Sequence, residues 1–273
     1  MIEILTGREI DQARETGRIV GNILQAMKER AVVGTNLLDI DVWTREMIEA
    51  AGATSCYVDY APAFGSGPFG HYICTAVNDA VLHGLPHDYQ LRDGDLLTLD
   101  LAIVKNGVAA DAAISFIVGE ARDPEDQRLI DTTREALAAA IAVAKPGAKT
   151  GDLSYAIGRV LLDAGYKVNM EFGGHGIGST MHQDPHISNN GRPNRGYKLV
   201  EGLMLAVEPW VMADTDKLVT DKDGWTLRSA TGARICTAHV IAYPLSQRDR
   251  CLIHGRARQF ASSSVVVSMI SVR

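Results

Sequence analysis

Two apolar runs between Leu96 and Val118 flank Asn106-Gly107, and no other stretch restricts the fold of this chain so closely. An Asn-Gly pair between such runs is the strongest short hairpin signal, because a two-residue turn wants positive φ at both positions. With that loop, Ala102 stands opposite Asp111. Asp100 lies two residues from Ala102, so the period of a strand puts it on the sheet face of Asp111, at the diagonal neighbour position. A carboxylate inside Leu96-Leu97-Thr98-Leu99-Asp100-Leu101-Ala102-Ile103-Val104 is expensive to bury uncompensated, and a second one beside it raises the cost. Either the pair shares a proton, or a metal ion holds both, or that face of the hairpin lies in water.

Helices surround this hairpin in the sequence. Thr6 and Glu9 have capping-box spacing, and Ile10, Ala13, Val20, Leu24 and Met27 recur at helical intervals, which predicts an amphipathic helix over residues 6–30. A second runs from Leu37 to Ala51 and closes at Gly52. Asp123-Pro124 opens a third that continues to Ala144, and a fourth lies between Asp152 and Ala164, ahead of Gly165. The second and fourth repeat each other at a constant offset of 113 residues, as Gly34 matches Gly147, Asp39 Asp152, Met47 Val160 and Gly52 Gly165. Two ordinary helices sharing end glycines would look the same, but each half also runs helix, helix, strands, which favours a duplicated chain.

Two further places carry chemistry. Gly173-Gly174-His175-Gly176-Ile177-Gly178, followed by His182, reads as a loop whose backbone passes close to a ligand, although a lone histidine there is more often structural. No phosphate-binding lysine follows, and no GxSxG nucleophile motif is present. Leu203-Met204-Leu205-Ala206-Val207-Glu208-Pro209 again ends an apolar run on an acid. Asp100, Asp111, His175 and Glu208 make a mostly oxygen donor set with one imidazole, suited to a divalent first-row ion and too carboxylate-rich for structural zinc.

Composition narrows the partners. The 27 basic against 33 acidic residues give a net charge of -6, which offers no cationic footprint for DNA or anionic lipid. The amino-terminal residues contain no apolar run long enough for a signal peptide or membrane span, and the four cysteines form no CxxC pair. The expected compartment is the cytoplasm.

These residues, in this order, resemble the type I methionine aminopeptidase branch of the pita-bread metallopeptidases, from residue 3 to about residue 234. The echoes are Val77-Asn78-Asp79 with His83-Gly84-Leu85-Pro86, Asp100 and Asp111, Gly174-His175-Gly176-Ile177-Gly178, His182 with Pro185, Glu208-Pro209 and Asp223-Gly224-Trp225. The resemblance implies an α+β pita-bread fold, with duplicated helix-helix-strand halves around an antiparallel sheet and residues 1–242 as one catalytic domain. It implies Asp100, Asp111, His175 and Glu208 as ligands of two divalent ions, cobalt, manganese, iron or zinc. His83, His182 and Glu208 take the catalytic roles, and Phe69, Cys74, Met181 and Trp225, with the two histidines, bind the substrate. The implied partner is the amino terminus of a nascent protein close to the ribosome, met by a monomer that removes the initiator methionine. The lack of a large amino-terminal domain sets the chain apart from Xaa-Pro peptidases of the same fold.

One feature of the family is missing. A second glutamate that bridges both ions is expected after Asp223-Gly224-Trp225, near Ala238, yet no glutamate follows Glu208. The tail from Tyr243 to Arg273 holds five arginines against one aspartate, unlike the rest of the chain. A reading-frame shift near codon 235, or a genuine tail with another role, would produce this pattern. A poorly ordered 243–273, weakened binding of one ion and impaired turnover are the expectations, with an inactive peptide-binding protein as the alternative.

Overall fold

The capping box forms as read: the Thr6 hydroxyl accepts from Glu9 N–H and the Glu9 carboxylate accepts from Thr6 N–H, opening α1 (Gly7–Arg30). Helix α2 (Leu37–Ala50) follows, capped by the Asn36 side chain and ended by Gly52 at φ 61°. The strands of the first half are β1 (Thr54–Ser55), β2 (Cys74–Val77), β3 (Ala80–Leu82), β4 (Leu96–Lys105) and β5 (Val108–Ile117). The second half opens with α3 (Pro124–Val143), capped by Asp123, and α4 (Thr150–Asp163). Its strands are β6 (Gly173–Gly176), β7 (Gln183–Ser188), β8 (Leu205–Val207), β9 (Trp210–Met212), β10 (Leu218–Thr220), β11 (Leu227–Ser229), β12 (Ile235–Thr237) and β13 (Val240–Ala242). This computed structural model describes residues 2–63, 65–237 and 240–242, the last three as backbone alone.

Helix α4 starts two residues earlier than its acidic residue suggests. Asp152 is not the cap; its carboxylate reaches back to accept from Lys149 N–H at 2.7 Å and across to Asn194 N–H at 2.8 Å. With that start, both ends of α4 lie 113 residues after those of α2. The glycines repeat too: Gly34 and Gly147 have φ of 90° and 92°, and Gly52 and Gly165 close their helices at 61° and 87°. The internal duplication is therefore geometric as well as textual.

The hairpin also forms in the expected register. Asn106 and Gly107 have φ of 53° and 80°, and the ladder pairs Ala102 with Asp111 and Asp100 with Ala113. On the other edge of β4, Cys74 of β2 pairs with Asp100. The alternate residues Leu97, Leu99, Leu101 and Ile103 turn the opposite way, into a core with Val20, Leu24 and Met27 of α1 and Ile40 of α2. In the second half, Leu137 of α3 and Leu153, Ile157 and Leu161 of α4 pack likewise on Ile187, Leu205 and Val207. Helices thus cover the outer sheet faces, and Asp100 and Asp111 turn inward.

The glycine run around His175 is a strand, not the loop read from sequence. Strand β6 lies between β7 and β8 in the order β13-β8-β6-β7, with a register shift between Gly174 and Gly176. A Cβ on Gly174 would collide with the Ala206 carbonyl, and one on Gly176 with that of Asp184. The glycines are there because neighbouring backbone passes too close for a side chain. Past Arg234, where the sequence echo fades, β12 still pairs with β9 and β13 with β8. Ala238, His239 and the 243–273 tail lie outside the described residues. Among the described residues no helix is long and apolar enough to cross a membrane.

Candidate active site

Four elements bring the carboxylates and imidazole together. The β4-β5 hairpin presents Asp100 and Asp111, β6 presents His175, and Glu208 follows β8 where Pro209 ends the run. The ladder pairs His175 with Ala206, two residues before Glu208, so both project toward one side. Donor atoms of Asp111, His175 and Glu208 all fall within 4.8 Å of one another. His175 Nε2 stands 2.9 Å from Glu208 Oε1 and 3.7 Å from Asp111 Oδ2. Its Nδ1 sits 2.8 Å from the Gly176 carbonyl, a contact that fixes the tautomer and aims Nε2 at the carboxylates. Asp100 lines the same cavity, with Oδ1 accepting from the Tyr57 hydroxyl at 2.7 Å.

The electrostatics sort the histidines into two kinds. Burial lowers the His175 pKa, but the charge and hydrogen bond of Glu208, and then Asp111, outweigh it and raise the value to about 9. His182 goes the other way, down to about 4, through desolvation first and the neighbouring His175 second. Its ring meets that of His175 edge-on at 4.5 Å, and its Nδ1 lies 3.2 Å from the Tyr60 hydroxyl. His83 is likewise lowered by desolvation. At φ 55° its backbone sits in the left-handed region directly after β3, and its ring packs edge-on to Trp225 and Phe172.

A cavity of about 380 Å³ opens over these groups. Phe69, Cys74, Met181 and Trp225 join Tyr57 and Ala102 in one buried apolar cluster on its wall. Burial raises the Cys56 thiol to about 12 and the Cys74 thiol well above its ordinary range, which favours the thiol over the nucleophilic thiolate at both. The sequence reading missed Tyr57 and Tyr60. Both precede a Gly- and Pro-rich stretch with no period from which their direction could be read; a tyrosine pair three apart just ahead of Phe69 was the available signal.

Comparison with known proteins places this geometry. The pattern of metallopeptidase family M24 matches residues 11–242. The chain belongs to that family. A methionine aminopeptidase of Aquifex aeolicus is 34% identical over 235 residues, 85% of this chain and 91% of that protein. One of Clostridium perfringens is 37% identical over 233 residues, 85% and 90% of the two chains. The crystal structure of a methionine aminopeptidase from Thermotoga maritima superposes with a TM-score of 0.84 at 32% identity, over 89% of this chain and 96% of that one. The M24 pita-bread fold extends to a prolidase of Pyrococcus horikoshii, with a TM-score of 0.65, 18% identity, and cover of 87% and 59%, a likeness of fold alone.

M24 membership implies binding of a divalent metal, and the residues present fit one. A set of two carboxylates and one imidazole is a hard, anionic donor group, and the raised pKa of His175 marks a position where positive charge is favoured.

Proposed function

We propose that this chain is a methionine aminopeptidase, releasing the initiator methionine from nascent proteins whose second residue is small. It would work as a cytoplasmic monomer close to the ribosome. The observation that carries this reading is the meeting of Asp111, His175 and Glu208 at a cavity walled by Phe69, Cys74, Met181 and Trp225.

Asp111, His175 and Glu208 would hold one ion, and Asp100 with Asp111 a second, with cobalt, manganese, iron and zinc all suited to the donors. Bound there, the ions supply an activated water and a Lewis acid for the peptide carbonyl. The apolar wall takes the methionine side chain, whose flexible thioether packs well against aromatic rings. His182 is neutral at physiological pH, so its ring N–H can donate to the oxygen on which charge develops. Desolvated His83 hydrogen-bonds the scissile amide, and Glu208 carries the proton from water to the leaving amine.

Loss of the glutamate near Ala238 makes the chain as written a weak catalyst, one that holds a single ion better than two. One fewer anionic ligand is left to offset the charge of two cations. Each ~1.4 kcal/mol of lost transition-state stabilisation slows turnover about tenfold. Methionine release from a Met-Ala peptide, measured with manganese or cobalt, should be slow or absent in the unaltered chain and restored in Ala238→Glu. Cleavage of Xaa-Pro peptides instead by the restored protein would overturn the assignment. Tight peptide binding without turnover in both forms would favour the inactive binding protein.

A further inference from the structure

Tyr57 is buried beside the proposed metal ligands and has no part in the roles assigned above. Its backbone is pinned on both sides: Cys56 N–H donates to the Ala102 carbonyl at 3.0 Å, and the Tyr57 carbonyl accepts from Tyr60 N–H at 2.9 Å. The ring meets Phe69 edge-on, with centroids 5.6 Å apart. Pinned backbone and packed ring leave the hydroxyl little choice of position, and it lies 2.7 Å from Asp100 Oδ1. A carboxylate can only accept, so the proton in this bond is the tyrosine's.

We propose that Tyr57 is a positioning residue for Asp100: its hydroxyl fixes the rotation of that carboxylate and so sets how strongly the Asp100 side of the site holds a divalent cation. The inference rests on the reading of Asp100 as a ligand. Asp100 stands on β4 between Cys74 of β2 and Ala113 of β5, on the sheet face it shares with Asp111. It also falls outside the close donor group formed by Asp111, His175 and Glu208. Outer hydrogen bonds orient a ligating carboxylate, and losing such a partner typically weakens metal binding about 10–100-fold.

The test uses the full chain, with Mn2+ alone as probe and its binding followed by calorimetry and by equilibrium dialysis up to millimolar concentration. Asp100→Asn defines the part of Mn2+ binding that depends on Asp100. Tyr57→Phe keeps the ring and removes only the hydroxyl, and it is expected to weaken that same part by about 10–100-fold while leaving the remainder little changed. Unchanged or tighter Asp100-dependent binding in Tyr57→Phe overturns the inference and leaves the ligand reading standing. If Asp100→Asn binds Mn2+ as the unaltered chain does at every concentration, Asp100 is no ligand and the inference falls with it. Thermal melting in metal-free buffer separates a packing role: a hydroxyl that only satisfies a buried carboxylate would lower the melting temperature of Tyr57→Phe and leave affinity alone.

Discussion

Between Glu208 and Asp111 the His175 ring keeps its proton up to about pH 9, and a cation entering that position must displace it. Metal affinity should therefore rise about tenfold per pH unit below that value and level off above it, with roughly one proton released per ion at neutral pH. Titration in two buffers of different ionisation enthalpy measures the release; none at pH 7 would mean that His175 is already neutral there. Asp111→Asn swaps a charged oxygen for a neutral one at a hard cation, and should weaken binding by more than the about 10–100-fold expected of an outer partner. Calorimetry gives the affinity, and an unchanged far-ultraviolet circular dichroism spectrum would exclude misfolding. Tyr60→Phe, made on Ala238→Glu, removes the contact to His182 Nδ1 and should lower kcat about two- to tenfold while moving KM little, the worth of one ordinary hydrogen bond. A rise in KM at unchanged kcat would place Tyr60 in substrate binding instead. Asp100 and Asp111 could be read from the sequence because a two-residue turn sets their register. Tyr57 and Tyr60 could not, since their directions come from long-range contacts with β4 and Phe69.

Element boundaries followed the same logic: local chemistry was legible and close approach was not. The Thr6-Glu9 box involves residues three apart and could be read directly, so Thr6→Ala should cost about 1 kcal/mol in chemical denaturation. Glu9 is held below its usual carboxyl range by the hydrogen bonds from Thr6. Its folded pKa is depressed, so its contribution is present at neutral pH and fades as the pH falls through that range. The sequence of strand β6 reads as a loop because the reason for its glycines lies in the carbonyls of Ala206 and Asp184, which belong to neighbouring strands and are invisible to any local pattern. Gly174→Ala should cost about 1–3 kcal/mol through overpacking and displace His175 with the strand, so metal affinity and melting temperature should fall together. Normal metal binding in that variant would show that β6 tolerates a side chain.

At the scale of the molecule, the two halves supply different parts of the proposed donor set, Asp100 and Asp111 from one and His175 and Glu208 from the other. Repetition of helix ends and glycine turns made the duplication legible; how the halves face each other was not, because their mutual pairing joins distant strands such as β3 and β11. A cation held by both halves stabilises their docked state. At a hundred times its dissociation constant it should add about 2.7 kcal/mol, raising the melting temperature by roughly 5–10 °C, an increase that a chelator should reverse in differential scanning calorimetry. The split has a further consequence. Ala238→Glu nicked between β5 and α3 would yield two fragments, neither with the full proposed ligand set, and any methionine released on mixing them would count reassembled molecules. In that variant, peptide trimming would double as a report on the docking of the two halves: a copy whose second half has yet to dock, or has docked wrongly, has nothing to cut with.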